Sequence, residues 1–211
     1  SLVVFGVGFA DDLNGLPATV RLAAQVIAAG IAVASGVHFR LISIGWLDAA
    51  LTVVWILLMV NELNFLDNMD WLATGITMTS CFFLLVLATL SGDRWLGYLV
   101  VSLFGACLGF SYFNLPPARI FMGDAGSTFM GYLLGCVAVM GEWSQGSRLV
   151  GITVPVVLLY VLVFDMVLIT VLRCAEGKVR SVRQWIEYAG TDHLSHRLVA
   201  LFGISPFHAT T

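Results

Sequence analysis

Apolar residues dominate this chain in long runs, broken at short intervals by charges and carboxamides. Six runs are complete, covering residues 21–37, 42–60, 72–90, 95–113, 126–141 and 149–172. A helix that crosses a bilayer needs about 20 largely apolar residues, so each run predicts one spanning helix. Residues 1–10, SLVVFGVGFA, have the same character but neither an initiating methionine nor a basic leader. They read as the tail of a further span and not as a signal peptide. The short alternating segments of an outer-membrane barrel are absent, as is an internal repeat of the transporter kind. The pattern predicts an all-α fold, a polytopic transmembrane helix bundle of about six complete spans plus a truncated first one, in a single integral-membrane domain over residues 1–211.

If successive loops alternate sides, residues 9–20, 61–71, 114–125 and 173–211 share one membrane face, and 38–41, 91–94 and 142–148 share the other. Seven of the ten basic residues, Arg21, Arg119, Arg173, Lys178, Arg180, Arg183 and Arg197, fall on the first face. The positive-inside rule makes that face cytoplasmic. The reactive polar residues sort in the same way, gathering on the first face while the opposite loops hold almost nothing reactive. Solvated loops have no need of such sorting; a site that opens to the cytoplasm at the mouths of the spans does.

Composition sharpens the class. The 211 residues are 59% hydrophobic and 11% charged, against about 25% charged in soluble domains, which excludes a soluble protein. Ten Lys and Arg against 13 Asp and Glu give a net charge of −3, so the basic footprint of a nucleic-acid binder is missing. Phosphate chemistry here must rely on local charge or a metal. Cys81, Cys107, Cys136 and Cys174 are too scattered for a disulfide framework or a zinc site and read as packing residues.

The stretch at 61–71, NELNFLDNMDW, carries the most information. If the preceding helix continues through it, Asn61, Asn64, Asp67 and Asp70 follow at three-residue steps along one slowly turning stripe. Oxygen ligands in that pattern suit a hard cation such as Mg²⁺; a polar loop that caps the next helix is the alternative. Asp11 and Asp12 are adjacent, so on a helix they diverge by about 100° and call for two roles, one toward a metal and phosphates, the other orienting a base such as Arg21. A plain turn at DDLNGLP fits them as well. Asp124, in FMGDAGST, is either an N-cap or a second oxygen ligand facing Asn64 from another loop. In DHLSHR at 192–197, His193 and His196 share a helical face beside Arg197, as cationic donors for an anion or as solvated residues of an interfacial helix. Asp165 lies in an apolar run where a charge costs about 2.5 to 3.5 kcal/mol, and lies about 12 Å below the exit marked by Arg173; it lines a cleft or pairs with a neighbouring helix.

Taken together, GFADDLNGLP with Arg21 and Gln25, NELNFLDNMD, RIFMGDAGST, the span carrying FDM and ending in Arg173, and DHLSHRL resemble the polyprenyl-phosphate N-acetylhexosamine-1-phosphate transferases. The resemblance runs from about residue 5 to 203, in the family's order. It implies a Mg²⁺-dependent enzyme, Mn²⁺ being the nearest substitute, that transfers a phospho-sugar from a UDP-N-acetylhexosamine to a polyprenyl phosphate and releases UMP. By matching position, Asn64, Asp124 and Asp70 would hold the metal. Asp11 and Asp12 would be the catalytic pair, one of them a proposed base for the lipid phosphate. Asp67, His193, His196 and Arg197 would contact substrate. A homodimer is compatible with the resemblance. Family members have further spans before the aspartate pair and usually one after the histidine loop, so the resemblance implies an internal piece of a longer transferase. Many relatives carry glycine where this chain has Asn68 and Trp71; Trp71 either stacks on the uracil or sugar, or anchors the next span at the interface.

Two other classes are weighed against this one. An intramembrane aspartyl protease would need a Gly-x-Gly-Asp motif, and Phe121 stands where its first glycine belongs. An ion-coupled transporter would use Asp11, Asp12 and Asp165, leaving the histidine segment and the Asn/Asp stripe without a task. The sidedness itself is testable by labelling introduced cysteines from outside intact cells. A cysteine at position 94 is expected to react and one at position 193 to stay unmodified; the reverse overturns the orientation and the substrate assignment together.

Overall fold

A computed structural model of the chain describes residues 1–42, 44–141, 143, 148–179, 184, 193, 194, 197, 199 and 201. His196 and Arg180 lie outside the described residues. Eight helices follow one another among the described residues: α1 (Leu2–Asn14), α2 (Ala18–Ala34), α3 (Gly45–Leu66), α4 (Leu72–Ser91), α5 (Arg94–Asn114), α6 (Gly123–Met140), α7 (Arg148–Leu158) and α8 (Tyr160–Ala175). No strand occurs among the described residues. The all-α expectation is met.

Three of the helices, α3, α4 and α5, are long and apolar enough to cross a membrane. The expected number of complete spans is larger, and the difference has local causes. The run at 149–172 is not one straight helix: α7 and α8 meet at an 82° bend and make at most one broken span. Pro155 lies in α7, and a proline removes a backbone donor and crowds the preceding turn. The α2 helix is apolar but has only 17 residues, and α6 carries the polar sequence GDAGST in its first two turns.

At the centre lies α3, packed against α2, α4, α6 and α8. Lipid is as apolar as a leucine side chain, so helices in a membrane associate by close packing and polar contacts more than by hydrophobic transfer. Both are present. A Cβ on Gly131 of α6 would stand 2.6 Å from the Met59 carbonyl oxygen and 2.8 Å from the Val60 Cα, and one on Gly8 of α1 would stand 2.6 Å from the Asp124 carbonyl oxygen. Glycine at these two positions is what lets α6 touch the backbones of α3 and α1. The α2–α3 contact is polar: Asn61 Nδ2 donates to Gln25 Oε1 at 2.8 Å, and Gln25 Nε2 returns a bond to Asn61 Oδ1 at 3.3 Å. Trp55 donates to the Gly135 carbonyl and Tyr132 to that of Ala28. Outward faces stay apolar, with Ile27, Ile31, Val54, Phe82, Phe83 and Leu108 exposed, as lipid contact requires.

The helix spacing predicts an asymmetry among glycines. Gly131→Ala must push α3 and α6 apart and is expected to cost about 1 to 3 kcal/mol, the usual cost of overpacking. Gly30→Ala and Gly105→Ala meet open space and are expected to be neutral or slightly stabilising, since alanine is the better helix former. Thermal unfolding of the three variants in one detergent checks this.

Candidate functional site

The polar residues predicted at the mouths of the spans converge where α1, α3 and α6 end together. The helix of α3 continues through Leu66, so Asn61 and Asn64 lie on it; it closes at Asp67, which serves as its C-cap. Asp70 therefore leaves the expected stripe. It reaches the site through the turn that follows, and its Oδ2 accepts from the Ala118 amide at 2.9 Å, fixing that turn to the α5–α6 connection.

Asp11 and Asp12 diverge as adjacent helical residues must, and both are engaged. Asp11 accepts from the Arg21 guanidinium at 2.9 Å and from the Leu16 amide. Asp12 reaches across to α6, where Oδ1 accepts from the Asp124 amide at 2.8 Å and Oδ2 from the Ala125 amide at 3.0 Å. Asp12 thus caps a helix to which it does not belong, placing a carboxylate on amides that have no partner inside the helix and at the positive end of its dipole. Gly123 makes the cap possible. Its φ is 65°, and a Cβ there would stand 2.7 Å from Asp12 Oδ2, so both backbone freedom and space demand glycine.

Asp124, released from capping its own helix, turns to its neighbours. Its Oδ2 takes a second bond from Arg21 at 3.0 Å, and its Oδ1 accepts from Asn64 Nδ2 at 2.9 Å. Asn64 also donates to Ser127 Oγ at 2.9 Å, so both known contacts of its amide use the nitrogen, and neither uses the carbonyl oxygen. The expected meeting of Asn64 and Asp124 from two elements is present. Asp124 faces Asp11 across an arginine.

Beside this pair opens a cavity of about 260 Å³ lined by Asn64, Asp67, Asn68, Asp70, Asn114 and Asp124, with Met69, Phe121 and Gly123. Among the described residues its polar lining offers carboxylates and carboxamides, with no sulfur or imidazole donor other than the Met69 thioether. That set fits Mg²⁺, which prefers oxygen ligands and keeps several positions for water and substrate phosphates. The electrostatics agree. Burial, followed by the charges of Asp124 and Asp12, pushes the Asp67 carboxyl up to about 7. Burial and the hydrogen bond with Asp11 push Asp124 above the usual carboxylate range, while that same hydrogen bond, with the Leu16 amide and Arg21, holds Asp11 below it. Crowded carboxylates of this kind are the mark of a place where a cation lowers the energy.

His193 is placed elsewhere. It is 4% exposed, its Nδ1 is 2.7 Å from Asp165 Oδ2, and the Leu194 amide donates to Asp165 Oδ1 at 2.7 Å. Asp165 therefore pairs with the histidine segment, and His193 does not line the cavity. Arg197 continues that segment, its amide bonded to the His193 carbonyl and its guanidinium 3.9 Å from Glu176. Trp71 is an anchor: Nε1 donates to Ser111 at 2.9 Å, its amide donates to Asn114, and its ring covers Gly75. It borders a second cavity of about 450 Å³ between α4 and the α7–α8 bend.

Two residues at these sites escape a reading of the sequence. Asn114 accepts from Trp71 and Thr74 and donates to the Ile120 carbonyl, tying α4, α5 and the α6 approach together; the available signal is a lone carboxamide closing an apolar span before Pro116. Glu62, one residue off the stripe, is buried beside Asp165 and His193.

The raised Asp67 carboxyl gives a stability signature. The unfolded chain loses this proton near 3.8 and the folded one near 7, so the folded state binds more protons between these values and stability falls as pH rises through that window. Asp67→Asn lacks this loss. With divalent cations chelated, its melting temperature relative to the parent is expected to rise from pH 4 to about pH 7 and level off above it; a pH-independent difference would place Asp67 in an ordinary carboxylate environment.

Residues 1–142 match the family model described as glycosyl transferase family 4. A Bacillus subtilis protein named probable undecaprenyl-phosphate N-acetylglucosaminyl 1-phosphate transferase is 30% identical over 97% of this chain and 58% of its own length. A decaprenyl-phosphate N-acetylglucosaminephosphotransferase of Mycobacterium tuberculosis is 33% identical over 94% of the chain and 55% of its own length. A phospho-N-acetylmuramoyl-pentapeptide-transferase of Chlamydia muridarum is 45% identical over 38% of the chain and 25% of its own length. The chain spans little more than half the length of the two relatives that it matches nearly end to end.

Proposed function

The chain belongs to glycosyl transferase family 4, and on that footing we propose that the full-length protein transfers an N-acetylhexosamine-1-phosphate from a UDP-sugar to a polyprenyl phosphate, such as undecaprenyl phosphate, and so starts a cell-wall or surface glycan. The observation that supports this most strongly is the oxygen-lined cavity in which Asn64 and Asp124 meet from two helices with Arg21 alongside. The reaction is a phosphoryl transfer: an oxygen of the lipid phosphate attacks the phosphorus that bears the sugar, and the bond to the uridylate phosphate breaks, releasing UMP. Both reactants are anions, so catalysis rests on positioning and on neutralising charge. Mg²⁺ or Mn²⁺ held by Asn64, Asp124 and Asp70 would supply much of that neutralisation at the pyrophosphate oxygens.

The chain's own groups have separable tasks in this reading. Arg21 brings a fixed positive charge to the cavity's edge, and Asp11 fixes its direction. Asp12 holds the N-terminus of α6, and with it Asp124, in register with α3. A lipid phosphate is already largely ionised near neutral pH, so orientation is the better role for Asp11 and Asp12 than proton abstraction. Asp67 contacts substrate from the cavity wall. The segment fastened through His193 brings Arg197 toward the anionic donor from the cytoplasmic side, and His196 is assigned to the donor by its position in the sequence motif alone. In the same reading α2, α6 and the α7–α8 pair are embedded in the inner membrane with the apolar spans, the site faces the cytoplasm, and two copies of the chain are free to associate.

Release of UMP from UDP-N-acetylhexosamines by the full-length protein in detergent, with a polyprenyl phosphate supplied, tests the reading; absence of UMP release with any of them overturns it. Within an active preparation, Asp124→Asn is expected to lower the rate about tenfold or more, a barrier increase of about 1.4 kcal/mol, with partial recovery at high Mg²⁺ or with Mn²⁺. An unchanged rate with unchanged Mg²⁺ dependence would remove Asp124 from the metal site.

A further inference from the structure

A second polar cluster lies apart from the cavity, between α3, α8 and residues 193–194. Glu62 is 1% exposed, Asp165 0% and His193 4%, and one ligand atom from each lies within 4.8 Å of the other two. Asp165 uses both of its oxygens, one toward His193 Nδ1 and one on the Leu194 amide. Glu62 does not: among the described residues neither of its carboxylate oxygens has a hydrogen-bond partner. A buried polar group without a partner is rare in folded proteins and calls for a cause. The positive charge of Arg173, itself buried, acts on Glu62 through space, but that attraction makes no bond to either oxygen.

A proton on Glu62 would cancel its charge and still leave oxygen atoms unbonded. A cation satisfies both needs. We propose that Glu62, Asp165 and His193 form a structural site for a divalent transition ion of the zinc class. The donor set, one imidazole and two carboxylates, is a familiar one for zinc and its neighbours, whereas Mg²⁺ favours an all-oxygen, water-rich shell such as the cavity offers. Ligand atoms around a tetrahedral zinc are roughly 3.3 Å apart at Zn–N and Zn–O distances of about 2.0 to 2.2 Å, so Glu62 needs to move in by up to about 1.5 Å, while His193 Nδ1 and Asp165 Oδ2, 2.7 Å apart, move slightly apart as their hydrogen bond gives way. Binding through Nδ1 of His193 requires the tautomer with its proton on Nε2, so the hydrogen bond to Asp165 is given up as the metal bond forms, and neutral imidazole is the ligand form.

The consequence is mechanical. His193 also packs its ring against Phe65, with centroids 5.5 Å apart, and Phe65 adjoins Asn64 on α3. The ion fastens the segment that carries Arg197 to the helix that presents Asn64 and Asp67, and to α8 through Asp165. His193 is then a ligand and not a direct substrate contact.

Co²⁺ is the probe, because its d–d absorption reports coordination directly. Full-length protein in detergent, stripped with a chelator and titrated with Co²⁺, is expected to take up one equivalent with visible bands of four- or five-coordinate strength. Zn²⁺ should displace it and a large excess of Mg²⁺ should not. Glu62→Gln and His193→Ala are expected to weaken Co²⁺ binding about tenfold or more, as loss of ligand-shell residues generally does, while Asp124→Asn leaves it intact. Absence of the bands in the parent protein overturns the proposal without recourse to any variant. So do bands that survive Glu62→Gln and vanish in Asp124→Asn, which would place the ion in the cavity. Uptake of UDP-sugar is not part of the readout, so the outcome is independent of the proposed transferase activity.

Discussion

Arg21 places one guanidinium between Asp11 and Asp124, and the polar end of the bundle follows from that bridge. Carboxylates on α1 and α6 would otherwise repel each other at the point where Gly8 brings the two backbones into contact. The arginine removes most of that repulsion, and Asp12 removes more by taking its charge to the amides at the start of α6. What is left falls on Asp67, whose carboxyl is pushed up by burial and by the neighbouring charges. The arrangement gives away some stability at its polar end and keeps, in return, a concentrated set of oxygen donors aimed at one small cavity. Structures commonly accept strain of this kind where binding is needed.

The helices were legible because apolar runs bounded by charge leave little choice to a chain in lipid, where the backbone must satisfy its own hydrogen bonds. The bend between α7 and α8 was not, since proline is common in membrane helices and Pro155 gives no sign of whether it kinks a span or breaks it. The site was legible to the extent that it depends on sidedness: gathering Asn64, Asp70 and Asp124 on one face was enough to anticipate that they meet. Its wiring depends on tertiary approach. That Asp12 caps α6, that Asp70 fastens to Ala118, and that Asp165 receives His193 follow from which helix ends lie together, and no spacing along the chain encodes that. Glu62 was missed because attention to a three-residue period passes over the residue one step away, even though a second carboxylate in an apolar helix is itself a signal.

Two polar environments that could hold divalent ions lie within a few residues of each other on α3, and they differ in kind. The cavity around Asn64 is open and lined mainly by oxygen donors; the cluster around Glu62 is closed and includes an imidazole. In our proposals one helix thus carries both a place for an exchangeable ion and a place for a resident one.

Trp71 has φ 66°, a left-handed conformation that few residues other than glycine adopt without strain. Its indole pays for that strain through the bond to Ser111 and by covering Gly75, which has no side chain to obstruct the ring. Positions 71 and 75 are therefore one choice made twice. A chain with glycine at 71 has no strain to offset and is free to carry a larger residue at 75, whereas a bulky residue at 71 requires a small one a turn later. Across the family the two positions should covary in size with opposite sign, and a sequence that is large at both would have to move α4 away from α5.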